Sequence, residues 1–88
     1  MRDLYKIKNI IEYLNKNCET DLDVIDFIVN NKSNLEKLDM EIHIDNDSVD
    51  LYFGEDSEGE LLYYTFDNFG YELLNILFKY IGFNSDLV

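Results

Sequence analysis

The sequence predicts one α+β domain over residues 1–88, in which a three-stranded antiparallel sheet is packed by helices in the order α-α-β-β-β-α. Two observations carry this prediction. Apolar residues recur at helical spacing in the first part of the chain, at every second position in three short segments between Met40 and Phe66, and at helical spacing again beyond it. The chain is also 47% hydrophobic and 15% aromatic, which is enough apolar material for a core despite a formal net charge of -12.

The first helix is predicted over residues 3–17. Its apolar stripe consists of Leu4, Ile7, Ile10, Ile11, Leu14 and Cys18. Most of these residues recur at alternating spacings of three and four, which is the period of an amphipathic helix.

A second helix is predicted to begin after Thr20, because its hydroxyl is a typical N-cap and acidic residues follow in the first turn. Its predicted apolar face consists of Leu22, Ile25, Ile28 and Val29. Residues 30–32 are expected to end it. The capping-box spacing of Ser33 and Glu36 predicts one further short turn.

From Met40 the apolar period changes to two, which predicts strands with one buried face. Asn46 and Asp47 tolerate positive φ, so they are expected to form a two-residue hairpin turn between the first two strands. The expected register pairs Ile44 with Val49, His43 with Asp50, and Ile42 with Leu51. All apolar side chains of both strands, Phe53 included, then lie on one face.

A third strand, residues 61–66, follows a polar loop bounded by Gly54 and Gly59. A six-residue loop directs Leu62, Tyr64 and Phe66 toward the core and Leu61, Tyr63 and Thr65 outward. We expect Asp67 or Asn68 to cap a final helix. Its predicted apolar stripe is Phe69, Leu73, Leu74, Ile76, Leu77, Tyr80 and Ile81. Gly82 followed by Phe83 has the form of a left-handed C-cap.

The charge is unevenly distributed along the chain. Residues 1–37 contain six basic and seven acidic residues, whereas residues 38–88 contain twelve acidic residues and a single basic one, Lys79. Between Lys37 and Lys79, 41 consecutive positions lack Lys and Arg. A surface whose charges all have one sign destabilises the folded protein through repulsion between those charges, and such surfaces usually serve to attract an oppositely charged partner. We therefore expect a basic protein partner.

Composition also excludes several classes of protein. At a pI of about 4.1 the surface repels nucleic acid and anionic lipid, so neither is expected as a direct ligand. The single cysteine, Cys18, forms neither an intramolecular disulfide nor a zinc site by itself, and no apolar run reaches the ~18 residues that span a bilayer. We expect a protein of the bacterial cytoplasm that does not enter a membrane. Abundant Asn, Ile, Lys and Tyr without Ala or Gln are typical of an AT-rich coding sequence from a bacterium or its phage.

No catalytic constellation is predicted. His43 is the only histidine, and its expected cross-strand neighbour Asp50 could orient the imidazole as a general base requires, but no nucleophile or oxyanion site lies near it in sequence. We favour a surface histidine beside a carboxylate, and a small hydrolase that depends on His43 remains a third hypothesis. Cys18 is interpreted as a small core residue. Neither enzymatic activity nor a cofactor is predicted.

The acidic segments were compared with metal-binding loops. Residues 45–50 are similar to the start of a calcium loop, but Val49 takes the third ligand position and Asp50 the glycine position, so the motif fails. The acids of residues 55–60 could bind a hard cation weakly. A solvated loop is the interpretation that we favour, and no metal site is predicted.

The alternating acids point to a different role. Outward side chains along a strand recur every ~6.8 Å, so the strands display carboxylates in a row that is similar to a phosphate backbone in sign and coarse spacing. Proteins that bind nucleic acid contact phosphates mainly through Lys and Arg, for which an acidic surface can compete. The alternative is an acidic surface without a specific role. The predicted partner-binding residues are Glu41, Asp45, Asp47, Asp50, Tyr52, Glu55, Asp56, Glu58, Glu60 and Tyr63, with the two tyrosines as aromatic anchors.

In size, acidity, α+β order and composition, the chain resembles the small acidic inhibitors encoded by phages and mobile elements, including nucleic-acid-mimicking anti-CRISPR proteins. The resemblance covers the whole chain as a type and rests on no defining motif. It implies a stoichiometric inhibitor that occupies the basic nucleic-acid or PAM-reading surface of a host nuclease, such as Cas9 or a CRISPR surveillance complex. The alternative function is an immunity protein or antitoxin that neutralises a basic nuclease toxin.

Overall fold

The computed structural model describes residues 3–81 and confirms the predicted α+β architecture. Its elements are α1 (Leu4–Asn17), α2 (Asp21–Asn30), α3 (Lys32–Lys37), β1 (Glu41–Asp45), β2 (Ser48–Glu55), β3 (Leu61–Phe66) and α4 (Tyr71–Ile81). The expected short turn after α2 is thus a helix of its own, α3. The predicted C-cap at Gly82 and Phe83 lies outside the described residues.

Local side-chain bonds fix where α1 and α2 begin. Asp3 caps α1, because its Oδ1 accepts from the Lys6 backbone N–H at 3.1 Å. At α2, the Asp23 N–H donates to Thr20 Oγ1 at 3.2 Å, and the Thr20 N–H donates to Asp23 Oδ2 at 3.1 Å. This reciprocal pair is a capping box, and it confirms the predicted cap at Thr20.

Two helix details differ from the prediction. Leu22 is 52% exposed, because the core face of α2 is centred on Val24, Ile25 and Ile28, and Leu22 lies roughly 110° away from that centre on the helical wheel. Ser33 lies inside α3, which begins at Lys32 after Asn31.

The predicted caps of α4 are wrong. Asp67 Oδ1 accepts from Ser48 Oγ at 3.0 Å, and the helix begins only at Tyr71. Its first backbone bond runs from the Leu74 N–H to the Gly70 carbonyl at 2.9 Å. Phe69, which was predicted within the helix, precedes it and is buried as a core residue whose N–H donates to the Asp47 carbonyl at 2.7 Å.

A contact between distant segments holds the start of α4. The Gly70 N–H donates to Asp21 Oδ2 at 2.8 Å, and Asp21 is the first residue of α2. The other oxygen, Oδ1, accepts from the Leu22 N–H at 2.8 Å. One carboxylate therefore lies at the N-terminal ends of two helices, where the helix dipoles favour negative charge.

The sheet has the strand order β1-β2-β3, with both pairs antiparallel. The register of β1 on β2 is confirmed as predicted, and Asn46 in the hairpin turn has a φ of 56°. The inward face is apolar and packs against the helices, with α1 against β3 and α2 against α4. The buried residues are Ile7, Leu14, Val24, Ile25, Ile28, Leu35, Leu38, Met40, Ile42, Val49, Leu51, Phe53, Leu62, Tyr64, Phe69, Leu74 and Leu77. Within residues 3–81, no helix is both long and apolar enough to cross a membrane.

Candidate partner-binding surface

The outward side chains of the three strands form a surface that we call the outer sheet face. It consists of Glu41, His43, Asp45, Asp50, Tyr52, Glu55, Leu61, Tyr63 and Thr65. Each of these side chains is exposed or half-buried, whereas the residues that alternate with them are buried or packed against the core. Within residues 3–81 the helices pack on the inward face, so the outer sheet face is accessible to a partner in the described part of the chain.

Acidic and aromatic side chains share one row across the outer sheet face. Glu41 on β1 is the register partner of Tyr52 on β2, which in turn is the partner of Tyr63 on β3. Side chains at such paired positions have Cβ atoms about 4.5 to 5.5 Å apart. A carboxylate and two phenol rings are therefore presented side by side, and Tyr63 is 51% exposed.

The neighbouring row contains the candidate catalytic pair. His43 and Asp50 are register partners, as predicted, and Thr65 completes the row on β3. The Thr65 hydroxyl donates to Asp50 Oδ1 at 2.6 Å, while His43 Nε2 lies 2.9 Å from Glu41 Oε1 on its own strand. Asp50 is thus engaged by a hydroxyl and the imidazole by a different carboxylate. Cys18 packs against the core on the other side of the sheet.

A β-bulge directs Glu55 outward. Tyr52 pairs with Tyr63, but Glu55 pairs with Leu61, so β2 contains one extra residue between these pairs. Gly54 supplies the conformation with a φ of 95°, which is unfavourable for residues with a Cβ. Without the bulge, alternation from the buried Phe53 would direct Glu55 toward the core. β2 therefore includes Gly54 and Glu55, which were predicted to belong to the loop, and the bulge was not apparent from the sequence.

The loop from Asp56 to Glu60 is braced by its own first side chain. Asp56 Oδ1 accepts from the N–H groups of Glu58 and Glu60, each at 2.9 Å, and the Asp56 N–H donates to the Glu60 carbonyl at 2.9 Å. Gly59 closes the turn with a φ of 83°. The bonds from Glu60 and Glu58, aided by the positive charge of Lys8 on α1, hold the pKa of Asp56 below its usual value. Asp56 is therefore a charged structural residue, and Glu58 and Glu60 are left exposed.

The predicted residues lie along the length of β2. Asp45 and Asp47 are exposed at the β1–β2 turn, Asp50 is in the middle, and Glu55 lies at the end beside the Asp56–Glu60 loop. The eight residues 48–55 span about 26 Å at ~3.3 Å per residue. We call the carboxylates on β2, on the neighbouring β1 and in the segments at both ends of β2 the acidic band: Glu41, Asp45, Asp47, Asp50, Glu55, Asp56, Glu58 and Glu60.

One further acid borders the band and was not among the predicted site residues. Asp39, which has a φ of 58°, lines a polar depression of about 540 Å³ together with Glu41, Tyr52, Glu55 and Asp56. Its place just before β1 is the signal that could have suggested it. No group of three or more potential ligands among residues 3–81 is arranged to hold a metal ion.

A second polar region lies between α1 and α2, away from the outer sheet face. A cleft of about 220 Å³ there is lined by residues that include Cys18, Asp23 and the stacked rings of Tyr13 and Phe27, whose centroids are 5.4 Å apart. Burial, together with the negative charge of Asp23, raises the pKa of the Cys18 thiol. Such a thiol is a poor nucleophile at neutral pH, which agrees with its interpretation as a core residue.

No protein-family model, no curated protein and no solved structure matches this chain.

Proposed function

We propose that this protein is a stoichiometric inhibitor that binds the basic nucleic-acid-binding surface of a nuclease by nucleic-acid mimicry. The observation that carries the proposal is the acidic band on an open sheet face. No Lys or Arg occurs from residue 38 to residue 78, and the basic side chains that approach the band are Lys8 beside Asp56 and His43 beside Glu41. We propose an inhibitor of the anti-CRISPR type, and its candidate target is the PAM-reading surface of an effector such as Cas9.

The placement of the carboxylates supports the proposal. Asp50 and Glu55 lie on β2, which spans about 26 Å, and the other six carboxylates of the band lie on β1 or in the segments at the two ends of β2. Lys and Arg side chains of a nucleic-acid-binding surface can therefore form charge-assisted hydrogen bonds to this sheet in place of phosphates. Occupation of that surface excludes nucleic acid without any chemical step.

The tyrosines supply contacts that a phosphate row lacks. Tyr52 and Tyr63 are adjacent in one row, with Glu41 at its end. A guanidinium group can stack on a phenol ring and form hydrogen bonds with a neighbouring carboxylate, which is a combination that Arg makes better than Lys. The row thus favours an arginine-rich surface.

The test is competition binding with matched charge reversals. The band variant carries Asp45→Lys, Glu55→Lys and Glu58→Lys, all exposed residues whose side chains cap no helix and brace no loop. The control carries Glu19→Lys, Asp26→Lys and Glu36→Lys, which are exposed acids in the helical half. Both variants change the formal charge from -12 to -6.

The partner is first captured from a host lysate at low salt, identified by mass, and then measured in competition with its nucleic acid. We expect the band variant to lose binding by at least about tenfold and the control to lose much less, with wild-type binding weakening as salt rises. Capture of a CRISPR effector supports the proposed target, whereas capture of a toxin nuclease assigns an immunity role. Equal loss in both variants contradicts a specific mimicry surface.

A further inference from the structure

The cleft between α1 and α2 is lined by two asparagines that present oxygen acceptors to a ligand. Asn17 Nδ2 donates to the Tyr13 carbonyl at 3.0 Å. Asn31 Nδ2 donates to the Phe27 carbonyl at 2.8 Å. Because a carbonyl only accepts, these bonds turn each amide nitrogen toward its own helix backbone. Among residues 3–81 no donor is bonded to either side-chain oxygen, so both oxygens can accept from a ligand.

Two carboxylates line the same cleft from α2. Asp23 Oδ2 accepts from the Glu19 and Thr20 N–H groups at 3.0 and 3.1 Å. These bonds hold the pKa of Asp23 below its usual value, so the carboxylate is charged at neutral pH. Asp26, one turn further along α2, is exposed and makes no side-chain hydrogen bond or ion pair within residues 3–81. The cleft is lined by no Lys, Arg or His, and neither carboxylate is paired with a cation in the described part of the chain.

Aromatic rings form the apolar wall of the cleft. The rings of Tyr13 and Phe27 are stacked with an angle of 29° between their planes, and Tyr13 is 51% exposed. Such rings attract cations through their electron-rich faces and also pack against alkyl chains. An alkylammonium ion can use both the oxygens and the rings, whereas a metal ion uses the oxygens alone. The lining therefore favours an organic cation.

The electrostatic potential in the cleft is negative. Asn17 ends α1 and Asn30 ends α2, and the C-terminal end of a helix dipole favours positive charge. The pKa of the Cys18 thiol, which is raised first by burial, is raised further by the negative charge of Asp23. A cation placed among these groups is therefore stabilised.

The size of the cleft limits the ligand. Its volume of about 220 Å³ is below the ~300 to 1,000 Å³ of sites for drug-sized molecules and equals the liquid volume of roughly seven waters. An amine with a short alkyl chain fits this volume, whereas a nucleotide does not.

We propose that the cleft between α1 and α2 binds a small primary amine in its ammonium form. The ammonium group donates to the Asp26 carboxylate and to the side-chain oxygens of Asn17 and Asn31, while the alkyl chain packs against Tyr13 and Phe27. This site lies away from the outer sheet face, so it goes beyond the proposed function and is tested without a nuclease.

The experiment titrates the full chain with butylammonium chloride and follows the side-chain amide signals of Asn17 and Asn31 by heteronuclear NMR. Sodium chloride at equal ionic strength controls for screening, and n-butanol controls for the alkyl chain. We expect both amide signals to shift saturably with butylammonium, with a dissociation constant on the order of 1 mM, and to shift little with either control.

Variants test the charged and the aromatic parts of the lining separately. Asp26→Asn keeps the shape of the side chain and removes its charge, so it should weaken butylammonium binding about threefold to fivefold. Glu36→Gln removes an exposed charge on α3 outside the cleft, and this matched control should bind as the original does. Tyr13→Leu removes a ring but keeps the backbone carbonyl that orients Asn17, and it should weaken binding about twofold to fivefold. Circular dichroism confirms that each variant is folded.

Several results would overturn the proposal. A shift that sodium chloride reproduces, or that does not saturate, reports only the ion atmosphere of a chain of charge -12. Equal binding of n-butanol contradicts recognition of the charge, and equal losses in Asp26→Asn and Glu36→Gln contradict a site at the cleft. In a parallel titration with a lysine blocked at both backbone ends, tighter binding of butylammonium supports a free amine. Tighter binding of the blocked lysine overturns that assignment in favour of a lysine side chain of another protein.

Discussion

The carboxylate of Asp21 offers a quantitative test of how the helices are held together. Replacing it with alanine removes the bond from the Gly70 N–H, which is 2.8 Å long and partly buried, and removes a negative charge from the N-terminal ends of α2 and α4. A hydrogen bond to a charged group contributes about 1.5 to 3 kcal/mol, and each helix end adds about 0.3 to 1 kcal/mol. Because Asp21 is only half-buried, we take the lower part of this range and expect a loss of about 2 to 3 kcal/mol.

Gly70 provides the second arm of the same test. A Cβ at this position would lie 2.9 Å from Asp21 Oδ2, and the residue has no positive φ that would exclude alanine. In Gly70→Ala the flexible carboxylate can rotate away, so the cost is the lost hydrogen bond, about 1 to 3 kcal/mol. In the Asp21→Ala background that bond is already absent. There Gly70→Ala should be neutral or stabilise by up to about 1 kcal/mol, because alanine restricts the unfolded chain.

The assay is urea and thermal unfolding followed by circular dichroism. For a domain of this size, Asp21→Ala should lower the Tm by roughly 10 to 20 °C. Asp26→Ala, an exposed acid later in α2, is the matched control and should change the free energy of unfolding by less than about 0.5 kcal/mol. Equal effects of Asp21→Ala and Asp26→Ala, or additive effects of Asp21→Ala and Gly70→Ala, refute the reasoning.

The remaining predictions concern a helix cap and two titrating groups. Thr20→Ala removes one half of the capping box and should lower the free energy of unfolding by about 1 kcal/mol, measured by urea denaturation against Ser57→Ala as an exposed loop control. The Glu60 and Glu58 N–H groups lower the pKa of Asp56. The stability that Asp56 contributes is therefore present above its unfolded pKa and is lost as pH falls through its folded pKa. In Asp56→Asn, the free energy of unfolding should fall less steeply at low pH than in the original chain. Burial raises the pKa of Tyr64 to about 12, so one tyrosinate absorbance step should appear near that pH. The stability that comes from keeping this phenol neutral is complete below the unfolded pKa near 10 and is lost between pH 10 and 12. Tyr64→Phe should abolish both the absorbance step and this loss of stability, and an original chain without a tyrosinate step near pH 12 contradicts the prediction.

Strand pairing could be predicted because its signals are local. Ile42 and Ile44 alternate with Glu41 and His43, and a two-residue turn follows, so register and facing are fixed by a period of two. The outward placement of Glu41 followed directly from this alternation. The partner-binding role of these residues remains a prediction.

What could not be predicted depends on contacts between distant residues or on backbone geometry. The start of α4 is set by Asp21, which lies 49 residues from Gly70, whereas Asp67 and Asn68 merely have the composition of caps. Gly54 was interpreted as a loop residue, because a glycine before a polar run indicates a turn as readily as a bulge. The one extra residue that the bulge adds to β2 decides whether the Glu55 side chain points outward or toward the core.

The bond pattern of the Asp56–Glu60 loop affects the entropy of association. A flexible five-residue loop would lose about 1 to 2 kcal/mol per residue in backbone conformational entropy on docking, or about 5 to 10 kcal/mol in all. Here Asp56 has already ordered the backbone by accepting from two N–H groups within the loop. Glu58 and Glu60 are therefore preorganised, and a partner that binds them has to immobilise only two side chains.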